Sequence, residues 1–449
     1  MKSFPPLVFT RLVFTIAFFS LTLPALHADD WPQWLGPQRD AVWRETGIIE
    51  KFPESGPKVR WRVPVRSGYS GPAVAKGRVY VMDREIGKRD TNAARGQVSG
   101  TERILCLNEK DGKILWQHEY DCTYGVSYAT GPRTTPTVHD GKVYTLGAEG
   151  NLLCLDAKKG KLLWSRDFKK DFGAKTPMWG FVGQPLIDGK KLICLAGGDG
   201  SVVVAFNKDT GKELWRALSA KEPGYAPPVI YKLAGKRQLI LWHPEAVNSL
   251  DPATGKLFWS YPHTRPIQSA LTIPTPRKVG DNHLFFTSFY NGSLMLRVDA
   301  DQPSLVYASQ KVSEKDTDGL HSMFSTPLIE NGYIYGFCSY SQFRCLNVET
   351  GERVWETFQA TNGKSERWGT AFIIKNGDRS FIFNDQGDLI IAKLSPEKYD
   401  EISRVKILEP TNRDPGRFVV WSHPAFANKS VYARNDKEIV CVSLARGGR

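Results

Sequence analysis

Ten large polar or aromatic residues stand where this sequence departs from its own regularity: Tyr69, Arg133, Trp179, Tyr225, Gln268, His321, Arg367 with Trp368, and Trp421 with His423. Aromatic rings and guanidinium groups gathered in a concave site are what recognition uses, so the chemistry they suggest is binding. The competing reading is that such bulky side chains merely plug a channel. Signals for bond making are thin. The eight histidines form no H-x-H or H-E-x-x-H pattern. The stretch NDQGD at 384–388 has the look of a calcium loop, yet it lacks the terminal Glu spacing and reads as a hairpin turn. No G-x-S-x-G elbow or phosphate loop occurs. No residue is assigned as catalytic or as a metal ligand. Whether two carboxylates pair, as in a propeller glycosidase or lyase, stays open at this point.

The elements that position these residues come from a repeat. Five copies run Asp or Asn, three residues, Gly, Lys or Glu, two residues, Trp, and they end at Trp116, Trp164, Trp215, Trp259 and Trp355. Their spacings are 48, 51, 44 and 96 residues, a period that marks propeller blades. The leading Asp or Asn opens a turn, and the Gly takes the positive φ that the turn requires. Each copy is thus a hairpin, with a second hairpin upstream such as TPTVHDGKVYTLG at 135–147. Four strands per period give an all-β, eight-bladed propeller of four-stranded antiparallel blades. In such blades the Gly-Lys turns share one face. The variable segments between blades form the mouth of a central funnel on the other, and they carry the ten residues above.

Register locates the degenerate blades. A weak copy at 298–306 places Val306 at the Trp position, and another runs from 381 to 405. The final copy begins at Ser443 and Gly447 but lacks its Trp strand. Residues 58–65 (KVRWRVPV) supply a strand and Trp61 with nothing repetitive before them. That N-terminal strand is expected to complete the last blade and close the ring, which removes exposed sheet edges. The expected organisation is 1–28 leader, 29–56 N-terminal extension and 57–449 propeller. The six tryptophans, Trp61 included, are read as packing between blades and not as a ligand site. One long polar insertion, Glu85 to Glu102, reads as a mobile loop over the mouth: a lid, a partner-binding loop or an inert extension.

Lys2 and Arg11 precede an apolar run, Leu12 to Leu23, and ALHA at 25–28 offers a cleavage site, so 1–28 reads as an export signal. No stretch is apolar enough to span a bilayer. The expected destination is periplasmic or secreted. The formal net charge is +13, with much of the excess in turn lysines such as Lys113, Lys158, Lys159, Lys161, Lys212 and Lys256. A shared basic face suits an acidic surface, a polyanion or anionic lipid headgroups, while the plainer reading is that Lys is a good solvated turn residue. The interleaving of basic and aromatic residues that a nucleic-acid groove needs is missing. Of seven cysteines, Cys106, Cys154, Cys345 and Cys441 share one repeat position that elsewhere holds Ala205 or Ser249. A slot that accepts Cys, Ala or Ser asks for a small buried side chain, so these read as free thiols. Cys122, Cys194 and Cys338 stay open.

The copies resemble the pyrroloquinoline quinone (PQQ) enzyme repeat, the Trp-docking motif of eight-bladed quinoprotein propellers, over about residues 55–449. The opening DWPQWLGPQRDAVW at 30–43 is similar to the start of exported PQQ-like repeat proteins. The resemblance implies two branches: quinoprotein dehydrogenases, and non-catalytic envelope propellers such as the assembly lipoprotein of the Bam complex. The dehydrogenase branch implies an adjacent Cys-Cys disulfide, a calcium held by carboxylates and an amide, and an Asp base. This chain has no Cys-Cys pair and no C-x-x-C-H haem site. The expectation is therefore a monomeric exported propeller without cofactor, binding an envelope protein or polymer. A PQQ- and calcium-dependent oxidoreductase is the alternative, and a carbohydrate-active propeller a third class.

Overall fold

A computed structural model describes residues 29–89, 96–262, 271–299 and 302–447, together with Met1. Among these residues lie eight four-stranded antiparallel sheets and one two-stranded hairpin at 412–419. Blades 1 to 7 span 73–121, 137–167, 186–217, 229–262, 277–308, 328–357 and 371–406. Blade 8 takes three strands from 425–443, and Val59–Pro64 pairs with Glu438–Ser443 as its outermost strand. The ring closes as the sequence implies.

Packing between blades follows from cross-strand register. In blade 2, Tyr144, Cys154 and Trp164 lie side by side on three neighbouring strands. The small middle residue lets the outer rings approach to 6.1 Å. Both then donate to one carbonyl of the next blade: Trp164 Nε1 and Tyr144 OH each sit 3.1 Å from Lys208 O. Blade 1 repeats this, with Trp116 and Tyr80 both 3.1 Å from Ala157 O. The turn glycine has a second duty besides its φ. A Cβ at Gly211 (φ +68°) would stand 2.7 Å from Trp164, and one at Gly160 (φ +69°) 2.5 Å from Trp116. The indole occupies that space. All seven cysteines are buried and free, including the three left open by the sequence.

Three expectations need correction. In blade 5 the Trp position belongs to Tyr307, opposite Met295; its hydroxyl donates to Val348 O at 3.1 Å, whereas Val306 points to solvent. Tyr307 stands eight residues after Asp299, the interval that separates Asp156 from Trp164 in blade 2. In blade 7 that position is Ser403, opposite Ile391, not a residue at 405. The N-terminal extension fills the vacant seam: Phe52 N donates to Ser403 Oγ at 3.1 Å, and Ile49 N to Leu444 O at 2.9 Å. Finally, the insertion Glu85–Glu102 is not a loose loop where it is described. Residues 84–86 pair with 100–102, and 89 with 98, as a continuation of the two middle strands of blade 1.

Candidate functional site

The inter-blade segments converge on a cavity of about 300 Å³ on the ring axis. Each segment delivers side chains because its innermost strand is only three to six residues long and starts beside the axis. Tyr69 comes from the segment entering blade 1, Tyr128 and Arg133 enter with blade 2, Trp179 with blade 3 and Tyr225 with blade 4. Leu271 and Ile273, Met323 and Phe324, Trp368, and Trp421 with His423 serve blades 5 to 8 in turn. Phe289 and Tyr290 add the tip of a blade 5 hairpin. The walls are rings set at steep angles: Tyr128 meets Trp421 at 62° and Trp368 at 76°, with centroids 5.8 and 6.0 Å away.

The base is Trp34 of the N-terminal extension, which crosses the axis from the side of the first hairpin turns. Trp31 pairs with Val74 there, and Val42 bridges Lys375, whose N donates to Ala41 O while its O accepts from Trp43 N. Trp34 Nε1 donates to Thr275 Oγ1 at 3.1 Å, and its ring lies 4.6 Å from that of His423. Arg39 anchors the crossing by donating to the carbonyls of Pro185 at 3.0 Å and of Gln184 and Pro228 at 3.4 Å. Burial lowers its guanidinium to about 10, so it remains charged at neutral pH. The axis is therefore a cup with a floor.

Electrostatics inside the cup are spare. Arg133 is the charged member of the described lining, and its guanidinium donates to carbonyls of Gly131, Ser127 and Tyr128 with no carboxylate partner among the described residues. Burial drives His423 down to about 4, and its Nδ1 lies 2.7 Å from Pro424 O. The indole nitrogens of Trp368 and Trp421 are buried without a hydrogen-bond partner among the described residues. Carboxylates gather at the rim instead, around Arg417 on the 412–419 hairpin: Asp385 at 2.7 Å, Glu366 at 3.5 Å and Asp414 at 3.7 Å. Burial raises the carboxyls of Asp385 and Asp414. Both are tied to Arg417, and Asp414 also accepts from the hydroxyl of the cup residue Tyr128 at 3.3 Å; neither belongs to the described lining.

Of the ten candidate residues, Tyr69, Arg133, Trp179, Tyr225, Trp368, Trp421 and His423 line the cup. Arg367 sits outside, over the Trp368 ring at 4.5 Å and paired with Glu314 at 2.5 Å. His321 is fully buried behind the wall, its Nδ1 3.1 Å from Phe289 O and its Nε2 3.4 Å from Asp318. Gln268 lies outside the described residues. The six repeat tryptophans are all absent from the described lining. Sequence reasoning missed Trp34, Tyr128, Phe324 and the blade 5 pair Phe289–Tyr290. Tyr128 could have been found, since it shares Arg133's segment; Trp34 could not, because it lies outside the repeat.

A closed ring of eight such blades around an aromatic cup defines an eight-bladed propeller of the PQQ-like repeat class. A family model described as outer membrane protein assembly factor BamB matches residues 100–357, more than half of the chain, and the chain belongs to that family. No curated protein matches the sequence. Among solved structures, BamB from Moraxella catarrhalis is similar at TM-score 0.55 and 16% identity, over 86% of this chain and 98% of that one. The quinohemoprotein alcohol dehydrogenase of Comamonas testosteroni is similar at TM-score 0.62 and 13% identity, over 94% and 81%. A computationally designed protein, Ika8, is similar at 0.52 and 12%, over 85% and 97%. Identities this low speak for the fold alone.

Proposed function

We propose that the protein is an exported, monomeric, non-catalytic propeller of the cell envelope, periplasmic or secreted, that binds a partner protein or polymer segment in its aromatic cup. The observation that carries this reading is the composition of the described lining: stacked and tilted rings, one unpaired guanidinium, a neutral imidazole, and neither carboxylate nor thiol. Such a surface holds a ring or an apolar side chain by burial and orients it by a few donors. The described lining holds no Asp, Glu, Cys or Lys side chain.

The alternative is the PQQ-dependent oxidoreductase, a reading supported by likeness of fold. The residues present do not fit that cofactor with its calcium. Among the described residues no three His, Cys, Asp or Glu side chains group to hold a metal, and the cysteines stand singly. A carbohydrate-active site needs two carboxylates facing a sugar about 5–10 Å apart, whereas the rim pair Asp385 and Asp414 is engaged by Arg417, Asp414 also by the Tyr128 hydroxyl, and neither is in the described lining. The test is capture from envelope extract on immobilised protein. A specific partner recovered by the native chain and lost in Trp421→Ala/Arg133→Ala supports the reading. Equal recovery by that variant, or dye reduction on adding PQQ and Ca²⁺, overturns it.

A further inference from the structure

The turn lysines do share one face, the face opposite the cup's mouth. Lys158, Lys159 and Lys161 of blade 2, Lys212 of blade 3 and Lys256 of blade 4 are exposed, with no carboxylate within 4.0 Å among the described residues. Exposed lysines alone mean little. Directly after them in each outer strand, however, come aliphatic side chains that the ring leaves in water. In blades 1 and 2 these are Ile114, Leu115, Leu162 and Leu163, at 50, 44, 40 and 45% exposure, and in blades 3 and 4 Leu214 and Leu257, at 47 and 45%. A scattered exposed leucine needs no explanation, but these recur at one height from blade to blade. Blades 5 and 6 keep exposed aliphatics there, Leu305, Val306 and Val354 at 52, 44 and 46%, yet the blade 6 turn carries Glu349, Glu352 and Arg353 in place of lysine, so turn lysines and exposed aliphatics coincide on blades 1–4.

We infer that the turn-side rim of blades 1–4 docks on the surface of an anionic lipid bilayer. Each aliphatic residue is one or two positions beyond its turn, about 3–7 Å along the strand. That matches the depth of about 5–10 Å to which apolar side chains enter the headgroup boundary. The lysines sit at the level of the headgroups, where basic side chains are attracted to negative lipid and keep their ammonium groups in water. A convex rim of separate aliphatic pairs cannot be covered by one extended segment of a protein, whereas a fluid surface conforms to all of them. The first described residues also join the ring here, with Asp30 accepting from Lys76 N at 3.1 Å. Docked this way, the cup opens away from the membrane.

The test is co-sedimentation of the mature chain with vesicles of phosphatidylglycerol and phosphatidylcholine, against phosphatidylcholine alone. Binding to the anionic vesicles only, weakened at least tenfold by Lys158→Gln/Lys159→Gln/Lys161→Gln and by Leu162→Ser/Leu163→Ser, is the expected result. Lys364→Gln, on the mouth side, leaves it unchanged, and unaltered circular dichroism of all variants shows that they fold. Absence of binding to anionic vesicles overturns the proposal. So does full binding by the leucine variant, which would leave the aliphatic side chains no part in the contact and reduce it to charge alone.

Discussion

At the residue scale blades 1 and 2 are each held to the next by a shared acceptor. In both, a tyrosine and a tryptophan two strands apart donate to one carbonyl of the next blade, and the cysteine between them is small. Trp164→Ala removes a half-buried indole and its hydrogen bond and is expected to cost about 3 kcal/mol. Cys154→Leu is expected to cost about 1–3 kcal/mol by forcing the rings apart, and Cys154→Ala about 1 kcal/mol or less. Denaturant unfolding of the three variants checks the order. Burial lifts the Cys154 thiol to about 12 and the Cys345 thiol to about 11. The native protein should therefore resist thiol labelling near neutral pH and release all seven thiols only on unfolding. His423 carries a pH signature. Its ring stays neutral in the fold down to about 4, while in the unfolded chain it protonates near 6.5. Between those values the unfolded state binds more protons, so stability falls as the pH drops through that window, by about 3 kcal/mol in all. His423→Phe should flatten that part of a stability-against-pH curve.

At the element scale the N-terminal extension does two unlike jobs. Its first half lays Trp34 under the cup, and its second half replaces the tryptophan that blade 7 lacks. Ile49→Pro removes the amide that reaches Leu444 and should cost about 1–3 kcal/mol, more than Ile49→Val, in chemical denaturation. This element also marks the limit of what the sequence discloses. Blade number, closure and the packing role of the tryptophans are legible because a turn glycine, a small residue and a Trp recur at fixed intervals. Seven cup residues are legible because whatever lies between blades must converge on the axis. Ser403 gives no hint of what fills its seam, since the filler comes from about 350 positions earlier and shares no pattern with it. His321 looked like a funnel residue for the same reason its neighbours did, and only the fold turns its ring inward toward Phe289.

At the scale of the whole molecule the two ends of the axis differ. One face gathers aromatic rings around a floored cup, with Arg133 the guanidinium of its described lining; the other carries lysines and exposed aliphatic side chains. Closure joins regions far apart in sequence, as in the ion pair of Arg62 with Glu438, 376 residues apart. A chain truncated before Glu438 lacks the strand that receives Trp61, and it should fail to give a cooperative melt, whereas removing residues 447–449 should leave the melt intact. The seam at Ile49 and Leu444 has a consequence for biosynthesis. The stretch from Gly47 to Arg62 emerges from the ribosome well before its blade 8 partners, Glu438 following Arg62 by 376 residues. In that interval Trp61 can already reach Glu109 O of blade 1, but the strand of Val59–Pro64 lacks its ladder partner and presents a bare edge. Ring completion thus acts as a check on length, which only an uninterrupted polypeptide passes.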